Sequence, residues 1–324
     1  MRIRLVVILL ASLAATPAWT QSPEASWPSK PIRFIVPFPP GAAVDGVARL
    51  MGQHLSSRLG QQLIIDNRVG ASGSVGALAV ARATPDGYTI GLGTTSTHAV
   101  AVSLSANLPY DPLKDFAPIS MIGSSPYVLV IYPGLPAKNL AELIALAKAK
   151  PRALNYASVG PASLANLSVE LFSHAAQLQL THVPYRSSPQ ALLDLMEGRI
   201  QLQFGTLGPS VPHIRDGKVR ALAVTSAKRV SSLPNVPTFM EAGIDGYEAS
   251  LWMAVISPAA TPAAIINRLN RELNAVLQSR DVQASLTAQG VEPEPGTSEE
   301  LRARIRGDIE KWRGVVTRAG ITAE

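Results

Sequence analysis

The chain has no cysteine among its 324 residues. That excludes a disulfide framework, a thiol nucleophile, cysteine-ligated zinc, an iron–sulfur cluster and a lipidated cysteine anchor. Aromatic residues are scarce, at 5%. The densest basic stretch, 302–306, lies beside Glu299, Glu300, Asp308 and Glu310, so it reads as a solvated helix face of mixed charge and argues against a nucleic-acid partner. The five histidines are scattered, and no two have the spacing of metal ligands on one helix face. His98 stands apart, because it follows a hydroxyl-rich stretch at a predicted strand end. The signatures H-E-x-x-H, G-x-S-x-G, S-x-x-K and G-x-x-x-x-G-K-[ST] are absent. No catalytic residue, metal or cofactor is expected from these patterns.

What the chain does have is apolar material, 47% of its residues, enough at this length for two domains with sizeable cores. Its 26 prolines fall at the ends of apolar runs, where they punctuate a folded chain. Arg2 and Arg4 precede an apolar run over 5–15, and small residues follow, the pattern of a secretory signal peptide with cleavage expected after Ala18. That run is shorter than the roughly 20 residues a membrane span needs. No paired arginines open the segment, so the general secretion route is expected, and the mature protein is expected to be soluble and periplasmic. Part of the formal charge of +6 belongs to this segment.

Beyond it the pattern alternates. An almost continuously apolar run with β-branched residues predicts a buried parallel strand over 31–38; Val44, Val47, Ala48, Met51 and Leu55 then recur at helical spacing. The cycle repeats with a strand over 63–65, a helix over 74–82 and a strand over 89–93. A second set has strands over 128–131, 154–157, 181–185, 200–204 and 221–224. Helices are expected over 139–148, 163–176 and 189–197. A long apolar strand is expected over 250–256, then two closing helices. The first would start with Thr261 as N-cap and Pro262 at the first helical position. The second would start with a Thr297/Glu300 capping box and end at Gly320. Alternation of this kind implies α/β architecture built from βαβ units. If 116–122 and 251–256 are connectors, the chain leaves one lobe, builds a second and returns. The expected division is 26–124 with 250–324 as one lobe and 125–249 as the other, with a hinge of two crossings and a ligand cleft.

Anion recognition by backbone remains as the candidate chemistry. The segment Phe38, Pro39, Pro40, Gly41, Ala42 to Asp45 joins a predicted strand to a helix start, where amides and the helix dipole favour a negative ligand. Ser158, Gly160, Pro161, Ala162 and Ser163 repeat the arrangement, and Thr94, Thr95 and Ser96 follow another strand. Pro and Gly are also ordinary punctuation between strand and helix, so each loop alone says little. Three at the carboxyl ends of strands in two lobes say more, since ligands of open α/β sheets bind there. One helix end supplies at most about 2 kcal/mol. Micromolar binding needs about 8 kcal/mol, so donors from both lobes are required. The stretch 91–96 resembles the start of a dinucleotide fingerprint, but its third glycine is missing and no acidic residue follows at the expected distance, which argues against nucleotide binding.

Several segments carry a family resemblance. VPFPPGAAVDGVAR (36–49), TPDGYTIGLGTTSTHA (84–99), LPYDPLKDFAPIS (108–120), HVPYRSSPQALLDLMEGRIQL (182–202), ALAVTSAKR (221–229), LPNVPTFMEAG (233–243) and LWMAVISPAATP (251–262) together resemble the solute-binding proteins of tripartite tricarboxylate transporters, the Bug family. The resemblance implies a monomeric, two-lobed receptor of the periplasmic-binding-protein, or Venus flytrap, type. It would close on a small organic anion, commonly a carboxylate, and deliver it to membrane permease subunits. By position it implies that 38–45 and 94–96 hold a carboxylate from the first lobe. Ser158, Gly160, Ser163, Arg186, Ser187, Phe204, Gly205 and Thr206 would line the second-lobe side, and Phe38 and Phe204 would shape an apolar wall.

The chain departs from the family pattern at four places. Ala42 stands for a second glycine, Pro161 and Ala162 for Asn and Gly, Asn166 for His, and Gly205 for a frequent Asp. An acid at 205 could pair with an ammonium group, so its absence leads to the expectation of a carboxylate without one, a dicarboxylate or an aromatic acid. Two other readings stay open. A ligand-sensing subunit would use the same pocket. A periplasmic hydrolase or isomerase would need Asp45 or His98 as general base, and no partner for either is evident nearby.

Overall fold

The computed structural model describes residues 27–105, 107–160 and 162–321. Pro161 and the expected signal peptide over 1–18 lie outside the described residues. Ten strands form one mixed sheet in the order β2 (Leu63–Asn67), β1 (Ile32–Val36), β3 (Thr89–Thr94), β9 (Ser250–Pro258), β4 (Phe116–Ile131), β7 (Leu202–Thr206), β5 (Asn155–Ser158), β6 (Thr181–Pro184), with β8 (Arg220–Val224) and β10 (Glu292–Pro293) also paired to β4.

Two parallel α/β units sit at its ends. In the first, β1 (Ile32–Val36) pairs in parallel with β2 (Leu63–Asn67) and β3 (Thr89–Thr94). In the second, β5 (Asn155–Ser158) pairs in parallel with β6 (Thr181–Pro184) and β7 (Leu202–Thr206). Between them run β4 (Phe116–Ile131) and β9 (Ser250–Pro258), antiparallel to each other. β4 has 16 residues: its first part pairs with β9, and its second part with β7 and with β8 (Arg220–Val224). The two expected connectors are therefore strands of a shared ribbon. Pro118 and Gly123 are accommodated by register shifts against β9.

α1 (Ala43–Leu59) buries Val44, Val47, Ala48, Met51 and Leu55, the stripe expected from its spacing, and ends on Gly60 in the left-handed region. That stripe packs with Leu269 and Leu273 of α8 (Ala263–Leu277) over β1. On the other face of the first unit, α2 (Ser74–Ala81) puts Ala77 and Val80 against Ile35. A π-turn over Ser96–Val100 and α3 (Ala101–Leu104) follow β3.

α4 (Leu140–Ala149) starts at Asn139, whose side chain accepts from the Glu142 amide; the Glu142 carboxylate reaches back to the Lys138 amide. α5 (Leu164–Ala176) is capped by Ser163, α6 (Ser188–Met196) follows β6, and α7 (Leu207–Arg215) follows β7.

Three helices close the described chain, not two. α9 (Arg280–Ala288) and the short β10 (Glu292–Pro293) separate α8 from α10 (Ser298–Ala319). Thr261 is not the cap of α8: its hydroxyl donates to the Pro258 carbonyl at 2.8 Å, and Pro262 occupies the cap position. The Thr297/Glu300 capping box and the Gly320 terminus are as expected. Leu301, Ile305 and Trp312 of α10 share one core with Phe172 of α5 and with Ala99 and Val100, so this helix ties the two units together.

Candidate functional site

The loop between β1 and α1 is organised by Asp45, which is buried at 2% exposure. Its carboxylate accepts from the Gly41 amide at 2.9 Å, from Asn67 Nδ2 at 2.8 Å and from Arg49 Nε at 2.9 Å. Asn67 Nδ2 also donates to the Phe38 carbonyl at 2.9 Å. Burial alone would raise the Asp45 pKa; the bonds from Arg49, Asn67 and Gly41 outweigh it and hold the carboxyl below its ordinary value. Asp45 therefore works inside the loop. Gly41 sits at φ +82°, where a side chain would strain the turn. Ala42 caps α1 without a side-chain hydrogen bond, so the first helical amides are left for an outside acceptor.

The loop after β3 is also turned inward at its start. Thr94 and Thr95 are fully buried. Thr95 Oγ1 donates to the Ser250 carbonyl at 3.0 Å and accepts from the Trp252 amide at 2.9 Å, bridging to β9. Thr94 Oγ1 lies 3.2 Å from Thr97 Oγ1. His98 is sealed in the core: Nδ1 lies 2.8 Å from Thr97 Oγ1, and the ring meets Phe116 edge-on at 4.6 Å. Burial pushes its pKa down to about 3. Ser96 is the residue of this loop that lines open space.

That space is a cavity of about 680 Å³ where the two units meet. Phe38 and Ser96 reach it from the first unit, and Ala162, Ser163 and Leu164 from the second. Ser163 is itself engaged, donating to the Gly160 carbonyl at 2.7 Å and capping α5. Ser158 Oγ lies 2.7 Å from His182 Nε2 and donates to the Gly160 carbonyl at 3.0 Å. Burial pushes the His182 pKa down, against the pull of Glu170.

Arg186 and Ser187 are exposed at the start of α6 and lie off the cavity wall. Phe204 is in the core, its ring 6.2 Å from Phe172 and 5.6 Å from Phe239. Gly205 is covered: a Cβ there would stand 2.5 Å from Ser210 Oγ. Thr206 and Ser187 cap α7 and α6 without side-chain hydrogen bonds, so these helix ends, like that of α1, keep free amides at the carboxyl ends of strands.

A further wall was not singled out from sequence. The turn between β2 and α2 brings Ala71, Ser72 and Ser74 to the cavity. Its backbone is left-handed at Ala71, Ser72 and Gly73. At Gly73 a Cβ would lie 2.7 Å from Thr97 Cγ2 and 3.5 Å from the Phe38 ring, so glycine permits this turn to close on both other loops. The signal was present: Gly70-Ala-Ser-Gly73 between a strand and a helix is the same punctuation that marked the other loops.

Two α/β units joined by a paired crossing, with a cavity between them, define a two-lobed binding protein of the periplasmic-binding-protein type. Residues 47–321 match the family described as TctC, tripartite tricarboxylate transporter family receptor, and the chain belongs to that family. It is 39% identical over 296 residues to protein BugT of Bordetella pertussis, covering 91% of each chain. An R. palustris protein solved with adipate is 38% identical with a TM-score of 0.75, covering 92% of this chain and 100% of that one. MatC from Rhodopseudomonas palustris, with bound malate, is 33% identical with a TM-score of 0.71, covering 90% and 100%.

Proposed function

We propose that this chain is a periplasmic solute-binding receptor. It would capture a small organic anion, a carboxylate without a nearby ammonium group, between its two lobes and deliver it to the membrane subunits of a tripartite tricarboxylate transporter. The observation that carries the reading is the cavity walled from both units by the turns that follow β1, β2, β3 and β5. Amides and helix ends recognise a carboxylate without a cationic side chain. Membership of the receptor family, and the adipate and malate bound by two relatives, support the same class of ligand.

The missing ammonium partner rests on Gly205, where Ser210 occupies the space that an acidic side chain would need. Turnover has no support from the candidate bases. Asp45 is committed to its loop and His98 is sealed in the core. Ser96 would serve the first-lobe side and Ser163 with Ala162 the second, while 125–249 would move as the second lobe about β4 and β9.

A thermal-shift and calorimetric screen of organic acids against aspartate and glutamate tests the proposal. At ligand one hundred times Kd the expected stabilisation is about 2.7 kcal/mol, with no product formed. Tight binding of aspartate or glutamate would remove the ammonium claim, and a chain-dependent product would overturn the receptor reading.

A further inference from the structure

We infer that the cavity selects a carboxylate with an apolar body, an aryl or alkyl monocarboxylate, over a dicarboxylate. The inference rests on the carboxylate-receptor reading and concerns the end of the ligand remote from that carboxylate. Besides Phe38 and Ser96, residues of α2 and α3 line the cavity. It is lined there by Val75 and Leu78 of α2, by Val100, Leu104 and Leu108 in and around α3, and by Leu164 of α5. Among the described residues, none of the side chains lining it is Asp, Glu, Lys, Arg or His.

The polar groups in this part are the neutral side chains of Ser74, Ser105 and Asn107. A second carboxylate seated here would lose its water with no cation to replace it, a cost that grows as the cleft closes. A methyl or aryl group gains from the same desolvation. The volume, about 680 Å³, is within the range of pockets that enclose ring-containing ligands. Val75 adds a second sign: it is a large apolar side chain left 46% exposed at the cavity.

The test is calorimetric titration of the mature chain with two matched pairs, hexanoate against adipate and 4-methylbenzoate against terephthalate, with 4-methylbenzyl alcohol as the neutral control. In each pair one member ends in a methyl group and the other in a carboxylate. The methyl member is expected to bind at least about tenfold more tightly, with a negative heat-capacity change, and the alcohol not to compete. A dicarboxylate that binds as tightly as its partner, or more tightly, overturns this inference and leaves the carboxylate reading standing. Failure of all four acids to bind overturns both.

Val75→Arg supplies a second arm, since this half-exposed position tolerates a long side chain without disturbing the core. It is expected to move the terephthalate to 4-methylbenzoate affinity ratio at least about tenfold toward terephthalate. An unchanged ratio in a folded variant would show that the ligand body lies elsewhere, and the inference would fall.

Discussion

Replacing Asp45 by alanine should damage the loop between β1 and α1 and the stability of the fold together. The carboxylate accepts three hydrogen bonds, and the three contributions differ. Arg49 is 53% exposed, so its ion pair is screened and contributes at most about 1 kcal/mol. The bonds from the Gly41 amide and Asn67 Nδ2, at 2.9 and 2.8 Å, end on a buried charged acceptor, a class that contributes about 1.5–3 kcal/mol each. Water can reach the loop and replace part of this, so the net loss should be about 2–4 kcal/mol. For a chain of this size that corresponds to a fall in Tm of about 4–8 °C.

The functional loss has a different origin. Without Asp45, nothing described in the structure holds the Gly41 amide, and the Asn67 side chain keeps the Phe38 carbonyl and a longer bond, 3.3 Å, accepted from Arg49. The loop would lose its fixed shape, and organic-acid affinity should fall by at least about tenfold, because ordering it would be charged to the binding event. Differential scanning calorimetry and titration on the same preparation read both quantities. The pH dependence gives a third reading. The Asp45 pKa is lowered in the fold from an ordinary 3.8, so its stabilisation is complete above that value and is lost as the pH falls through the lower folded-state value. The difference between wild type and Asp45→Ala should therefore narrow below about pH 4. A variant with unchanged Tm and unchanged affinity at neutral pH would refute the assignment of Asp45 as organiser of the loop.

Other outcomes follow from single residues. His98 stays neutral in the fold down to about pH 3 while the unfolded chain takes up a proton near 6.5. Stability should fall by about 1.4 kcal/mol per pH unit across that window on its account, and His98→Gln should remove about one proton from the uptake on unfolding; an unchanged slope would contradict the burial. Thr95→Val keeps the shape but leaves the Ser250 carbonyl and Trp252 amide unpaired in the core, which should cost about 2–5 kcal/mol in denaturant titration. Gly76→Ala sits in α2, where the exchange usually gains up to about 1 kcal/mol. Here the new Cβ would stand 2.7 Å from Pro37 Cα and 2.8 Å from the Arg68 carbonyl, so the sign should reverse, and a raised Tm would show that the loop can yield.

Most of the parallel units could be read from the sequence, because buried β-branched runs and amphipathic stripes are local signals. β4 was legible only in its last four residues. Its earlier part contains Pro118, Gly123, Ser124, Ser125 and Pro126, the composition of a turn, yet it pairs with β9 from Phe116 to Pro126. Gly123 shows why composition misleads: a Cβ there would lie 2.3 Å from the Glu292 carbonyl, so the residue that weakens strand propensity is the one that lets β10 approach. α7 was hidden for a related reason. It holds Gly208, Pro209 and Pro212; Pro209 falls in the first turn, where no amide bond is forfeited, while Pro212 lies inside the helix and gives one up.

The loops that reach the candidate cavity were legible in the sequence, and the engagement of their side chains was not. Strand-to-helix punctuation located the stretches around Gly41, Ser96 and Ser163, and the same rule would have located Ser72. Which polar atoms face the ligand depends on partners remote in sequence: Thr95 is committed to Ser250 and Trp252, and Asp45 to Asn67. These commitments have a chemical consequence. A backbone amide binds an anion well only if its loop is already held in place, and the residues that hold these loops are the conspicuous ones, Asp45, Thr95 and Ser163. Once they are engaged internally, the open wall is left to small hydroxyls and aliphatic side chains. Polar residues that look like ligand contacts in the sequence thus build a site whose own surface carries no side-chain charge, and it is that neutrality which should decide between a methyl group and a second carboxylate at the far end of the ligand.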